Sequence, residues 1–179
     1  MTKPTVIKGK IIIIKDNEGS GIDDIDTDMI FHNKHLHITK IEEMGKYAFG
    51  NLPDWEKFPE IASKGDILVV GKNFGAGSSR QQAVDCFTSL GISLIIGESF
   101  GAIYKRNAIN SGMLLMTAPN IMNESIKTGD SLKVNLKTGE IINLITNELL
   151  ATAEPLSNVQ IDIYQAGNLF AYGSRIIKS

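Results

Sequence analysis

Cysteine is almost missing from this chain: Cys86 is the only one among 179 residues. That excludes an internal disulfide, and it excludes an iron–sulfur site built from this chain's own thiolates, since such clusters take about three or four. Charge of one sign is missing too. There are 18 Lys and Arg against 20 Asp and Glu, for a formal net charge of -2. The basic residues never gather, so no electrostatic reason exists to expect a nucleic-acid partner. Long apolar runs are also absent. The isoleucines at 11–14 are far too few to cross a bilayer, and the first residues lack the apolar segment and cleavage site of a secretory signal. The expected setting is cytoplasmic, with no membrane partner.

What is present is a composition that can bury a core. At 42% hydrophobic, the whole chain 1–179 is expected to form one domain. Residues 6–14 are rich in β-branched side chains and read as a strand, ended by a loop over 15–21. Short helices are expected over 41–49 and 54–63. Residues 66–71 form an unbroken apolar run of the length of a strand buried on both faces. A helix follows over 79–90, with Gly91 where a C-cap glycine belongs. A second strand at 92–96, a helix at 102–109 and a third strand at 113–116 complete a strand–helix rhythm that predicts a parallel sheet and an α/β fold. The last third changes character: a hairpin from 131–135 and 140–145, a strand at 147–153, a closing helix at 155–167 and a short tail.

Three groups of residues could carry chemistry. The first is the loop after the strand at 66–71, with Gly71, Gly75 and Gly77 followed by Ser78, Ser79 and Arg80. Ligands of α/β sheets sit beyond the carboxyl ends of strands, and a helix N-terminus offers unpaired N–H groups to an anion. Ser78 could equally be a plain N-cap. Arg80 in a first helical turn opposes the helix dipole and calls for a negative partner, either an internal carboxylate such as Asp28 or a substrate carboxylate. The loop is not a P-loop, because no Gly-Lys precedes its serines, nor a Gly-x-Ser-x-Gly elbow. No histidine lies downstream to complete a hydrolase triad.

The second group is acidic: Asp23, Asp24, Asp26 and Asp28. Alternation would put Asp24, Asp26 and Asp28 on one face of an extended segment, and a solvated acidic loop is the plain alternative. The spacing is not that of a calcium loop. The third group is His32, His35 and His37, too crowded and too isolated to make a case for zinc, so no metal ligand is assigned. Asn107 and Asn110 invite a capping and loop-anchoring role.

Taken in order, the segments 24–28 (Asp-Ile-Asp-Thr-Asp), 70–83 with Gly-Ser-Ser-Arg at 77–80, and 98–110 with Glu98 through Tyr104 and Arg106-Asn107 at its end resemble the swivelling domain of the aconitase superfamily, as found in the separate small subunits of its isopropylmalate and homoaconitate branches. The resemblance implies a three-layer β/β/α domain. It implies a partner, a large subunit holding a four-iron four-sulfur cluster, and a hydro-lyase reaction that isomerises a hydroxy di- or tricarboxylic acid. An isopropylmalate-type substrate comes first, with homoaconitase, aconitase or methylmalate types as alternatives. It assigns Ser78 as the base that takes the carbon-bound proton, Arg80 as the carboxylate ligand with Gly77 and Ser79 beside it, and Asp28 as a supporting residue.

The sequence departs from that family at Ala76, where relatives carry Cys, and at Gln81-Gln82, where they carry Glu-His. The larger departure is His35-Leu36-His37, where a Tyr-Leu-Arg-like run is common. Lys34, His35 and His37 become the candidates for meeting the distal group of the substrate. A non-catalytic anion-binding module is the competing expectation.

Overall fold

The structure is a computed structural model and describes residues 2–178; Met1 and Ser179 lie outside the described residues. Seven strands form one sheet: β1 Val6–Ile13, β2 Ile67–Val70, β3 Leu94–Gly97, β4 Leu115–Thr117, β5 Ser131–Asn135, β6 Glu140–Asn143 and β7 Leu149–Thr152. Their spatial order is β4-β3-β2-β1-β5-β6-β7. The first four run parallel, and β1 pairs antiparallel with β5, which leads into the hairpin and β7.

Two apolar cores lie on opposite faces of β1 to β4. Ile12, Ile14, Leu68, Val70, Ile95 and Leu115 point to the helical side, where Val84 and Phe87 meet them along with Phe49 and Phe58. Ile7, Ile11, Ile13, Ile67, Val69, Leu94 and Ile96 point the other way, toward Leu132, Val134 and Ile141 of the antiparallel strands. The period of two along β1 thus feeds both cores. The sheet curls until the chain leaving β7 meets β4, where Glu154 N donates to Thr117 O at 2.7 Å. That is the β/β/α layering the motifs implied, and it explains why β2 and β3 read as continuous apolar runs: every residue in them is buried.

The helices are α1 Thr27–Ile30, α2 Phe58–Ile61, α3 Gln82–Leu90, α4 Ala102–Asn110, α5 Asn158–Ala166 and α6 Leu169–Lys178. Gly91 closes α3 in the left-handed region, as expected. The helix expected over 41–49 is instead two separate 3₁₀ turns, Ile41–Glu43 and Gly45–Tyr47. Only Phe58–Ile61 of 54–63 is helical, entered through Pro59 near its start. The short tail after 167 is largely helical too: α6 packs along α5 but buries none of its own residues, so its amphipathic pattern has no core behind it.

Candidate active site

The site grows from the carboxyl end of β2, where three chain segments run side by side. Asp24 N donates to Lys72 O at 2.9 Å, Gly75 N to Ile25 O at 2.8 Å and Thr27 N to Ala76 O at 3.0 Å. On the other flank, Phe74 N donates to Ser99 O at 3.1 Å and Gly101 N to Phe74 O at 2.9 Å. The three stretches singled out in the sequence are therefore neighbours in space. Gly75 is required where they cross: its φ is 77°, and a Cβ there would overlap the Tyr104 ring. Tyr104 is buried beneath the loop and donates to Ala83 O at 3.0 Å, which ties α4 to α3.

The acidic segment is not extended. Asp26 caps α1, accepting from Asp28 N at 2.9 Å and Met29 N at 2.8 Å, so the chain turns helical before Asp28 and the expected alternation is broken. Asp24 takes a left-handed φ of 57° and accepts from Asn73 Nδ2. The three aspartates therefore do three different things.

The serines do not begin a helix either. α3 starts at Gln82, and Ser78, Ser79 and Arg80 form a tight turn ahead of it, with Arg80 N donating to Ser78 O at 2.9 Å. Ser78 is thus no N-cap; its Oγ lies 3.1 Å from Thr27 Oγ1. The Arg80 side chain turns back from the helix to Asp28. Its Nη1 donates to Asp28 Oδ1 at 2.9 Å and to Phe31 O at 2.7 Å, with a longer contact to Thr27 O at 3.4 Å.

Asp28 is fully engaged in turn. Oδ1 also accepts from Asn33 N at 2.9 Å, and Oδ2 accepts from Asn51 Nδ2 at 2.9 Å. The Arg80 guanidinium, more than the backbone bond from Asn33, holds this carboxyl below its ordinary range against the opposing effect of burial. Arg80's internal partner is therefore Asp28. Among the described residues no bond reaches its Nε or Nη2, and neither is a fully buried atom left without a partner, so that edge keeps some access to solvent. The N–H groups of Gly77, Ser78, Ser79, Gln81 and Gln82 also meet no described protein acceptor. A recess of about 330 Å³ beside them is lined by Leu36, Ser78, Ser79, Arg80 and Gln82.

The loop carrying the histidines is organised by its own bonds. His32 Nδ1 accepts from Lys34 N at 3.1 Å, and His37 Nδ1 donates to Lys34 O at 3.1 Å. His35 stacks on Tyr47 with ring centroids 3.9 Å apart. Burial there, and then the neighbouring cations beginning with Lys34, push its imidazole below the ordinary histidine value. Lys34 and His37 are exposed. From this loop it is Leu36 that lines the recess. Leu36, Thr27 and Asn51 are site residues that composition and spacing did not single out; only Thr27, enclosed by the acidic run, carried any local signal.

Arg106 is exposed, and neither Asn107 nor Asn110 makes a described side-chain bond, so the capping role expected for them is not realised. Among the described residues no group of three or more His, Cys, Asp and Glu side chains could hold a metal ion. Cys86 is buried inside α3, and burial raises its thiol far above the ordinary value. The donor set of this chain does not fit an iron–sulfur cluster. No helix of the described residues is long and apolar enough to cross a membrane.

Comparison with known proteins agrees with this geometry. Residues 22–121, which contain all three motifs and the recess, match the aconitase C-terminal domain family. The chain is 41% identical over 169 residues to the isopropylmalate/citramalate isomerase small subunit of Methanocaldococcus jannaschii, covering 94% of each. It is 40% identical over 148 residues to the 3-isopropylmalate dehydratase small subunit 1 of Methanopyrus kandleri, covering 82% of this chain and 84% of that one. The crystal structure of a 3-isopropylmalate dehydratase from M. jannaschii superposes with a TM-score of 0.82 and 32% identity over 97% of both chains.

Proposed function

This chain belongs to the aconitase C-terminal domain family, and from that membership we propose that it is the small subunit of a 3-isopropylmalate dehydratase, a hydro-lyase of leucine biosynthesis, working in the cytoplasm. It would pair with a large subunit, and the four-iron four-sulfur cluster of the reaction would be held there. The observation that carries the reading is the turn 78–80: a hydroxyl, unpaired backbone N–H groups and the open edge of a clamped guanidinium converge on one recess.

Each part has work to do in dehydration and rehydration. Asp28 fixes Arg80 so that Nε and Nη2 present a planar pair of donors, which suits a substrate carboxylate. The free N–H groups of Gly77 and Ser79 add to that anion seat. Ser78, ionised, takes the proton from the carbon beside the carboxylate, and the hydroxyl of the neighbouring carbon leaves as water on taking up a proton, a departure that the cluster of the large subunit would assist as a Lewis acid. Water then returns with the opposite orientation, and the proton with it. A serine hydroxyl is a weak base, so its ionised form needs nearby positive charge and N–H donors, which Arg80 and the turn supply.

Leu36 bears on the choice of substrate. The wall it gives the recess is apolar, so an alkyl substituent is favoured there over the further carboxylate of a homocitrate or citrate. Lys34, His35 and His37 would shape and flank this wall.

The test is reconstitution with the large subunit and a panel of acids. Turnover of 3-isopropylmalate should exceed that of homocitrate and citrate. Ser78→Ala should lower kcat by roughly 10²- to 10⁴-fold, the usual worth of one positioned base, and leave assembly intact. Near-normal turnover of that variant would remove Ser78 from the role.

A further inference from the structure

Besides Tyr104, whose hydroxyl donates to Ala83 O, the buried polar and charged residues among those described are Thr27, Asp66 and Asn143. Two of them have evident structural duties. Asp66 Oδ2 accepts from Ser63 N at 2.8 Å, and Asn143 Oδ1 accepts from Ile145 N at 2.8 Å, each closing a local turn. Thr27 is different, because the single described partner of its hydroxyl is another hydroxyl, Ser78 Oγ, 51 residues away along the chain.

The two hydroxyls are held very unequally. Thr27 is 3% exposed, its N–H donates to Ala76 O at 3.0 Å, and its carbonyl accepts from Phe31 N at 3.0 Å. A β-branched side chain on so fixed a backbone has little freedom at χ1. Ser78 lies on the exposed turn and borders the recess. The direction of the bond follows from what else is available. No other acceptor is described for the Thr27 proton, and a buried hydroxyl donor is not left unmade without penalty. Thr27 therefore donates and Ser78 accepts, which leaves the Ser78 proton free to point into the recess.

We propose that Thr27 is a positioning residue for Ser78: it fixes the serine oxygen at the mouth of the recess and donates to it, stabilising the ionised form, its own proton given up to solvent, in which Ser78 takes the carbon-bound proton. The inference rests on the assignment of Ser78 as base. A buried donor aimed at an oxygen stabilises its ionised form more than its neutral one, and so raises the share of Ser78 able to act as base. Its effect should therefore appear in kcat and reach the reaction only through Ser78.

The experiment uses the complex of the full chain with its large subunit, carrying Thr27→Val, Thr27→Ala, Thr27→Ser, Ser78→Ala and the double variant Thr27→Val/Ser78→Ala. Thr27→Val and Thr27→Ala should each lower kcat by roughly 10- to 100-fold with KM little changed, on the scale of one lost hydrogen bond to a charged oxygen. Thr27→Ser, which keeps the hydroxyl, should recover most of the loss. In the Ser78→Ala background Thr27→Val should cause no further fall, because the group it acts through is gone. The same fall in both backgrounds, or unchanged kcat in both hydroxyl-free variants, would overturn the proposal while leaving Ser78 in place. Near-normal turnover of Ser78→Ala would remove the base assignment itself, and Thr27's role with it.

Discussion

At the scale of single residues the site rests on an ion pair that points inward. Arg80 is only 14% exposed at its side chain and spends Nη1 on Asp28 and two carbonyls. Arg80→Lys keeps the charge but cannot hold those bonds and also present a planar edge, so kcat/KM should fall by at least about 10²-fold, as for loss of a charge-assisted bidentate contact. Steady-state kinetics of the reconstituted complex check this. The pair also sets a dependence on acid. Because Asp28 has a depressed pKa when folded, its contribution to stability is present above the ordinary carboxylate value and is lost as pH falls through the folded one. Acid-unfolding curves of wild type and Asp28→Asn should therefore diverge above the ordinary value and draw together at lower pH.

His35 follows the same sign for a different cause. Its imidazole is depressed mainly by burial, so the folded chain favours the neutral ring, and the stability involved is lost as pH falls below the ordinary histidine range. An NMR titration should place its midpoint below that range, and Tyr47→Ala, which removes the stacked ring, should move it back up. Residue types were legible in the sequence at Ser78, Arg80 and Asp28, but partners were not. Spacing left Arg80 facing either Asp28 or a substrate, and the choice is made by Asp26, whose cap turns the chain so that Asp28 meets the guanidinium. Asn51, which holds the other Asp28 oxygen, has no local signal at all.

At the scale of elements the informative feature is where α3 begins. Apolar spacing at Ala83, Val84 and Phe87 located the helix and Gly91 its end, because both are local properties. Its start was misplaced by three residues, because the turn 78–80 is held by a contact with a segment about fifty residues earlier. That displacement matters for function, since it frees Ser78 from capping and leaves N–H groups open. Gly75 sustains the arrangement. Gly75→Ala meets both a left-handed φ and the Tyr104 ring, whereas Gly19→Ala, with a φ of 85° and nothing within 4 Å, meets only the first. Gly75→Ala should therefore cost clearly more than the roughly 1 kcal/mol of a strained Gly→Ala change, and Gly19→Ala about that amount. Thermal unfolding of the two variants measures the difference, at roughly 2–4 °C per kcal/mol for a chain of this size.

At the scale of the whole molecule the curled sheet makes a rigid base with the site at one end. The strand–helix rhythm over 66–116 announced the parallel half, and the turn between 131–135 and 140–145 announced a hairpin, whose Leu132 and Val134 the structure buries. What these pack on was not legible, because the contact of the β7 exit with Thr117 joins segments whose sequences carry no mark of each other. The same limit applies beyond the chain: on the proposed reading the solvent-open recess is half of an active site, and what closes it left no mark in this sequence. On that reading the chain works only when a large subunit closes the recess. This is tested most directly by measuring 3-isopropylmalate turnover with this chain alone, with the iron-loaded large subunit alone and with the two mixed. Turnover is expected in the mixture only; turnover by either chain alone, or none in a mixture that forms a stable complex, would overturn the proposed function.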